Sequence, residues 1–154
     1  SRQWLTNLGH GIPLSIWYDR ADDGPDPDEP EHHFGTVAFQ YHEDRTPVYD
    51  PKPAYLAAKT LTSVLDGCVF VKRIFTSSPK DYVMLFRHAD QMRLAVWTTE
   101  DPSHAVKIPS SPCNFEVVSH TGQPLDPLSA RDGTLTITVT PAPQFLIAKS
   151  PNPK

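Results

Sequence analysis

The stretch Tyr82-Val83-Met84-Leu85-Phe86-Arg87-His88-Ala89-Asp90-Gln91-Met92-Arg93-Leu94-Ala95-Val96-Trp97-Thr98 decides the fold. Met84 and Phe86, then Leu94 and Val96, alternate with their neighbours at the period of two that marks a strand. Asp90-Gln91 supplies a tight turn between the two runs. Outward from this hairpin lie Cys68–Phe75, Ala105–Ile108, Phe115–Ser119, Leu135–Thr140 and Gln144–Lys149, each short and each bounded by turn residues. In the second-last of these, Leu135, Ile137 and Val139 alternate with threonines. Seven or eight short strands at this spacing predict a mainly β protein built on an antiparallel β-sandwich.

The chain upstream has another texture. Trp4, Leu5 and Leu8 share one helical face, and Gly9 is placed to close that helix. Ile12-Pro13-Leu14-Ser15-Ile16-Trp17-Tyr18 carries no charge and has the length of a strand. Such a run predicts a strand covered on both faces, as in a parallel sheet. Its backbone groups then need partners: another chain, the sandwich, or the remainder of a parallel sheet. Asp19 to Gly35 reads as a loop of unusual length. Pro53–Asp66 is the clearest helix, with prolines at its start, an apolar stripe from Ala54 to Leu65, and Gly67 as its stop. Strand, loop and helix make one βα unit. The sequence therefore divides into residues 1–67, a βα unit, and residues 68–154, a sandwich.

Charge excludes some partners. The formal net charge is −4, and the segment Asp19–Glu31 alone holds seven acids and one base. No basic stripe runs along any element, which argues against nucleic acid. No apolar run approaches the roughly 20 residues of a membrane span, so no membrane partner is expected. Cys68 and Cys113 cannot make a disulfide framework and read as two buried thiols.

The acidic loop invites three readings. Asp22-Asp23-Gly24 lacks the alternating ligands of a calcium loop, so no metal is assigned. A pair of catalytic carboxylates cannot be chosen from spacing among so many acids. A solvated loop is the reading that remains. His32 and His33 on extended backbone point to opposite sides and do not suit one metal. No nucleophile elbow, phosphate loop or dinucleotide fingerprint occurs, so no catalytic residue and no cofactor is assigned. Trp17 ends the apolar run. It is either core packing or a flat ring at the mouth of a parallel strand, where ligands of α/β barrels bind. There an indole face would stack on a sugar, and carboxylates such as Asp19 would accept its hydroxyls.

Pro13-Leu14-Ser15-Ile16-Trp17-Tyr18-Asp19, Asp22-Asp23-Gly24, His33-Phe34-Gly35 and Lys52-Pro53-Ala54-Tyr55 together resemble clan A glycoside hydrolases, the cellulase, xylosidase and mannanase-like enzymes on a (β/α)8 barrel. Tyr82–Phe86, Leu94–Thr98 and Pro143–Leu146 resemble the small β-sandwich that often follows such a barrel. The resemblance implies the last βα unit of a barrel plus that sandwich. A barrel takes eight units and about 250 residues, and one unit precedes Gly67. In this clan the acid/base follows strand four and the nucleophile strand seven, so neither is carried over. Trp17, at the end of strand eight, is implied to bind substrate, with Asp19 on the rim of the same cleft. The implied protein is a carboxy-terminal piece of a retaining glycoside hydrolase acting on β-linked glycosides or polysaccharides, inactive alone. Its partners would be carbohydrate and the remainder of the barrel or another copy of the chain. A carbohydrate-binding or structural sandwich module, and a small hydrolase using the acidic loop, are the competing readings.

Overall fold

The computed structural model describes residues 1–149. Two helices, α1 (Arg2–Gly9) and α2 (Pro53–Leu65), accompany ten strands: β1 (Val37–Tyr41), β2 (Tyr49–Pro51), β3 (Val69–Ile74), β4 (Asp81–His88), β5 (Gln91–Thr98), β6 (His104–Pro109), β7 (Cys113–Ser119), β8 (Pro124–Ala130), β9 (Thr134–Val139) and β10 (Gln144–Ala148). Six of them form one antiparallel sheet in the order β3-β4-β5-β10-β7-β8, while β6-β9 and β1-β2 pair separately.

The large sheet is covered on both faces. Val83, Leu85, Leu94, Val96 and Leu146 pack with Val106, Ile108, Leu135, Ile137 and Val139 of the β6-β9 pair. Their chain neighbours Met84, Phe86, Ala95, Trp97 and Phe145 point the other way, onto Leu5 of α1 and Leu61, Val64 and Leu65 of α2. Two-sided burial explains why β4 and β5 are nearly continuous apolar runs rather than strict alternations. The expected pair of packed sheets is present, but helices cover the second face. The turn between β4 and β5 is Ala89-Asp90, since His88 pairs with Gln91 and Ala89 has φ 49°.

All seven strands expected after Gly67 form, and β8 is added to them. Its two prolines conceal it in the sequence. As the sheet's edge strand it tolerates them, because an edge leaves half its N–H groups without a ladder partner. Helix α2 starts on Pro53, whose missing N–H costs nothing at a first turn. It ends before Gly67, whose φ of +63° favours glycine.

Ile12–Tyr18 departs from expectation. Among the described residues no strand runs through it, and Leu14 and Ile16 are 70% and 84% exposed. A strand needs an edge to bond to, and among the described residues none pairs with the segment. Pro13 also lacks an N–H. Ile12, Pro13 and Ser15 line a cavity with Trp4 and Leu8 of α1 and Leu61 of α2, so the segment lies beside the helices rather than on the sandwich. The cysteines are free and half-buried rather than fully buried.

Candidate functional site

Trp17 and Asp19 are held by one carbonyl. The Trp17 indole N–H donates to Phe34 O at 3.0 Å, and the Asp19 backbone N–H donates to the same oxygen at 3.1 Å. The edge of Trp4 meets the Trp17 ring at 5.9 Å and 79°. This leaves Trp17 48% exposed, so its ring is anchored on one side and open on the other. The Asp19 carboxylate accepts the Arg20 N–H. The Tyr18–Asp19 peptide is cis. Beside it, the Tyr18 hydroxyl donates to Asp23 Oδ2 at 3.3 Å, and the Asp23 charge raises the Tyr18 phenol above its ordinary pKa. Tyr18 and Phe34 meet edge to face at 6.4 Å.

The loop behind these rings is built, not merely solvated. Asp22 Oδ1 accepts Lys52 Nζ at 2.6 Å and the Gly35 N–H at 2.9 Å, with the Asp22 side chain only 10% exposed. Lys52 Nζ also donates to His33 O at 2.9 Å. A side chain at Gly35 would bring Cβ to 2.2 Å from the Asp22 nitrogen, so the close approach demands glycine. Thr36 and Val37 donate to the carbonyls of Asp19 and Arg20, and Ala21 bridges Val37 in parallel. The root of α2 is thereby tied through Lys52 to the chain that carries Trp17. Solvation describes Asp28 and its exposed neighbours; Asp22 is the exception, because a lysine and an amide replace its water.

The adjacent histidines serve the same loop. The Asp26 N–H donates to His32 Nδ1 at 3.2 Å, and His33 Nε2 donates to Asp26 O at 2.8 Å. Sequence reasoning placed Trp17 and Asp19 near one another but missed Lys52 and Asp22. The available signal was Gly35 and Lys52 standing in motifs otherwise made of rings and prolines.

A second polar cluster lies where β4 and β6 begin. Asp81 is buried. Its Oδ2 accepts Thr76 Oγ1 at 2.7 Å, and its Oδ1 lies 3.0 Å from His104 Nε2. His104 Nδ1 lies 3.3 Å from Pro102 O, so both ring nitrogens face acceptors. Only an imidazolium donates to both. The Pro102 carbonyl and Asp81 hold the His104 pKa above its ordinary value. Burial works against the Asp81 charge, yet hydrogen bonds from Thr76, His104 and Thr98 outweigh it and hold that carboxyl below its ordinary pKa. Glu100 completes the group through Ser78 Oγ at 3.0 Å and Lys80 Nζ at 3.6 Å. The Asp81, Glu100 and His104 ligand atoms lie within 4.8 Å of one another, but Thr76, Ser78 and Lys80 already engage the carboxylates.

No family model and no curated protein sequence matches the chain. Solved structures do. The chain is similar to a family 39 glycoside hydrolase from Bacteroides cellulosilyticus WH2, with TM-score 0.76 and 24% identity, covering 96% of this chain and 29% of that one. It is also similar to a family 30 subfamily 8 xylanase from Clostridium acetobutylicum, with TM-score 0.59 and 9% identity over 76% of this chain and 31% of that one. A family 30 endoxylanase from Clostridium papyrosolvens C71 matches with TM-score 0.52 and 11% identity, over 65% of this chain and 28% of that one. The likeness is one of fold, shared with part of each of these glycoside hydrolases. The chain spans less than a third of the length of each of these three.

Proposed function

We propose that the chain is the carboxy-terminal piece of a retaining glycoside hydrolase acting on β-linked glycosides or polysaccharides. In this reading residues 1–67 are the terminal βα unit of a barrel-like domain, and residues 68–154 are the sandwich that follows it. Trp17 is a stacking platform for a sugar ring, and Asp19 accepts sugar hydroxyls on the same rim. The catalytic carboxylates belong to other barrel strands, so the chain alone is inactive. Its partner is the remainder of the barrel. That two of the similar structures are xylanases makes xylan-type chains the first substrates to try.

One observation carries this reading. Ile12–Tyr18 passes beside α1 and α2 with Leu14 and Ile16 in water, and it delivers a half-open Trp17 at its end. An apolar segment beside two helices suits the wall of a barrel, where neighbouring strands would pair with it. A free-standing sandwich module has no use for exposed Leu14 and Ile16, which would otherwise invite aggregation.

The test has two arms. Aryl β-xylosides and β-glucosides should not be turned over by this chain. Turnover abolished by Asp19→Asn or Asp22→Asn would overturn the proposal in favour of a hydrolase using the acidic loop. Binding of xylohexaose, followed by tryptophan fluorescence, should be lost in Trp17→Ala; undiminished binding would remove Trp17 from the site.

A further inference from the structure

The β1-β2 hairpin carries two rings that neither core uses. Phe39 and Tyr41 are exposed, Tyr41 at 57%. Tyr41 stands opposite Tyr49 across the ladder, their ring centroids 5.5 Å apart and inclined at 67°. The Arg20 guanidinium lies 5.5 Å from the centre of the Tyr49 ring. The other face of the hairpin is closed by charge. His42 Nε2 lies 3.2 Å from Asp50 Oδ2, and Arg45 pairs with the other Asp50 oxygen. Successive strand residues point to opposite faces, so this ion-pair group fixes the hairpin without covering the tyrosines. The His42 N–H, donating to Val48 O at 2.7 Å, closes the tip.

These rings and the exposed aliphatic residues of 12–18 differ in kind. Leu14 and Ile16 are aliphatic and have no polar function, which suits burial by protein. The hairpin instead offers flat rings, phenol hydroxyls and a guanidinium, with ion pairs behind them that would lose water in a protein interface. Its sequence neighbour is the acidic segment Asp19–Glu31, which repels polyanions and leaves Arg20 as the one cation within it. Rings that take C–H faces, donors that take hydroxyls and a field hostile to anions together fit a neutral polyhydroxyl ligand.

Position adds length to this ligand. Thr36 and Val37 are bonded to Asp19 and Arg20, so the hairpin springs from the chain beside Trp17. Tyr41 is four residues farther along β1, up to about 13 Å at strand rise. We propose that the Tyr41–Tyr49 face of the hairpin, with Arg20, is a second sugar subsite that holds a neutral β-linked oligosaccharide extending out from Trp17. The inference rests on the reading of Trp17 as a sugar platform. It adds that the site takes a chain of several units rather than one or two.

The experiment uses the full chain with xylohexaose and cellohexaose, and with xylobiose and cellobiose as short probes, by titration calorimetry and by NMR of the tyrosine rings. Tyr41→Ala should weaken binding of the favoured hexaose on the order of tenfold and leave its disaccharide unchanged. Tyr41→Phe, which keeps the ring, should restore most of the loss. Trp17→Ala should weaken long and short probes alike. Hexaose affinity within about twofold of wild type in Tyr41→Ala, with loss in Trp17→Ala, would overturn the hairpin subsite and leave Trp17 standing. Loss in Tyr41→Ala with none in Trp17→Ala would keep the hairpin as a sugar site and overturn the Trp17 reading. Binding of neither hexaose by the wild-type chain would overturn both.

Discussion

Residues 81–98 and residues 12–18 have similar apolar composition and opposite fates. In the first, Val83, Met84, Ala95 and Val96 are buried, and neighbouring side chains serve two different cores. In the second, Leu14 and Ile16 stand in water and Trp17 is half out. The difference is not propensity. The β4–β5 hairpin finds β3 and β10 on its flanks, so every ladder bond has a partner. The 12–18 segment has the side chains of an interior strand and no neighbour to bond. An apolar strand is a request for partners, and whether it is answered depends on the rest of the chain.

The strongest way to break this contrast is to empty the helix-side core. Trp97 and Phe145 are fully buried beneath α1 and α2, and Trp97 stacks on Tyr82 at 4.6 Å. Trp97→Ala should cost about 3–5 kcal/mol, enough to unfold a marginal domain at room temperature. Leu5→Ala should cost about 2–5 kcal/mol although it lies in the first helix, because α1 shares this core. Urea denaturation followed by circular dichroism measures both. A cost for Leu5→Ala below about 0.5 kcal/mol would mean that α1 is not docked on the sheet.

A smaller effect is expected at the tie between loop and helix. Lys52→Met leaves the Asp22 carboxylate nearly buried with only the Gly35 amide. Fully buried pairs cost about 3–5 kcal/mol to break, and Lys52 is partly exposed, so about 1–3 kcal/mol is expected. Hydrogen exchange should report it first at residues 19–37, where the loop amides lose protection while β4 and β5 keep theirs. Uniform loss across the sheet would show that the tie stabilises the whole molecule rather than the chain that carries Trp17.

What was legible in the sequence follows the same divide. The runs around Met84 and Leu94 could be read because both ladder neighbours lie within the chain, so pattern and structure agree. Strand β8 could not, since Pro124 and Pro127 erase the pattern and only an edge position makes them tolerable. Ile12–Tyr18 was read for the environment its side chains suit, which this chain does not contain. At the candidate site, Trp17 was legible as a conspicuous ring, and it stands half exposed, though among the described residues no strand carries it. Asp22 and Lys52 were not, because 30 residues separate a pair that only the folded loop brings to 2.6 Å. The β1-β2 hairpin was hidden in the same way, its tyrosines placed opposite each other by a bulged register that composition does not announce.

The pH dependence sharpens the comparison from the sheet side. The folded His104 pKa is raised, so its contribution is complete below the unfolded value near 6.5 and fades as pH rises through the folded value. The folded Asp81 pKa is lowered, so its contribution is complete above the unfolded value near 3.9 and fades as pH falls through the folded one. Both act together between about pH 4 and 6.5, and stability measured by urea titration should be greatest there. His104→Gln should remove the decline above pH 6.5. A decline that persists in this variant would assign it to another group.

The smallest expected effect is at the exposed segment 12–18 itself. Ile16→Ser removes an apolar side chain already 84% exposed, so the unfolding free energy of the isolated chain should change by less than about 0.5 kcal/mol. The same substitution in Val96, which is buried, should cost several times more, since it leaves a cavity and an unpartnered hydroxyl. The contrast holds only while residues 12–18 have no partner. Where the chain self-associates through this segment, Ile16 becomes part of an interface, and Ile16→Ser should lower the associated mass in light scattering rather than the stability of the monomer. A monomeric chain in which Ile16→Ser costs as much as the Val96 substitution would mean that the segment is buried in solution. It would then cease to be a segment without a partner.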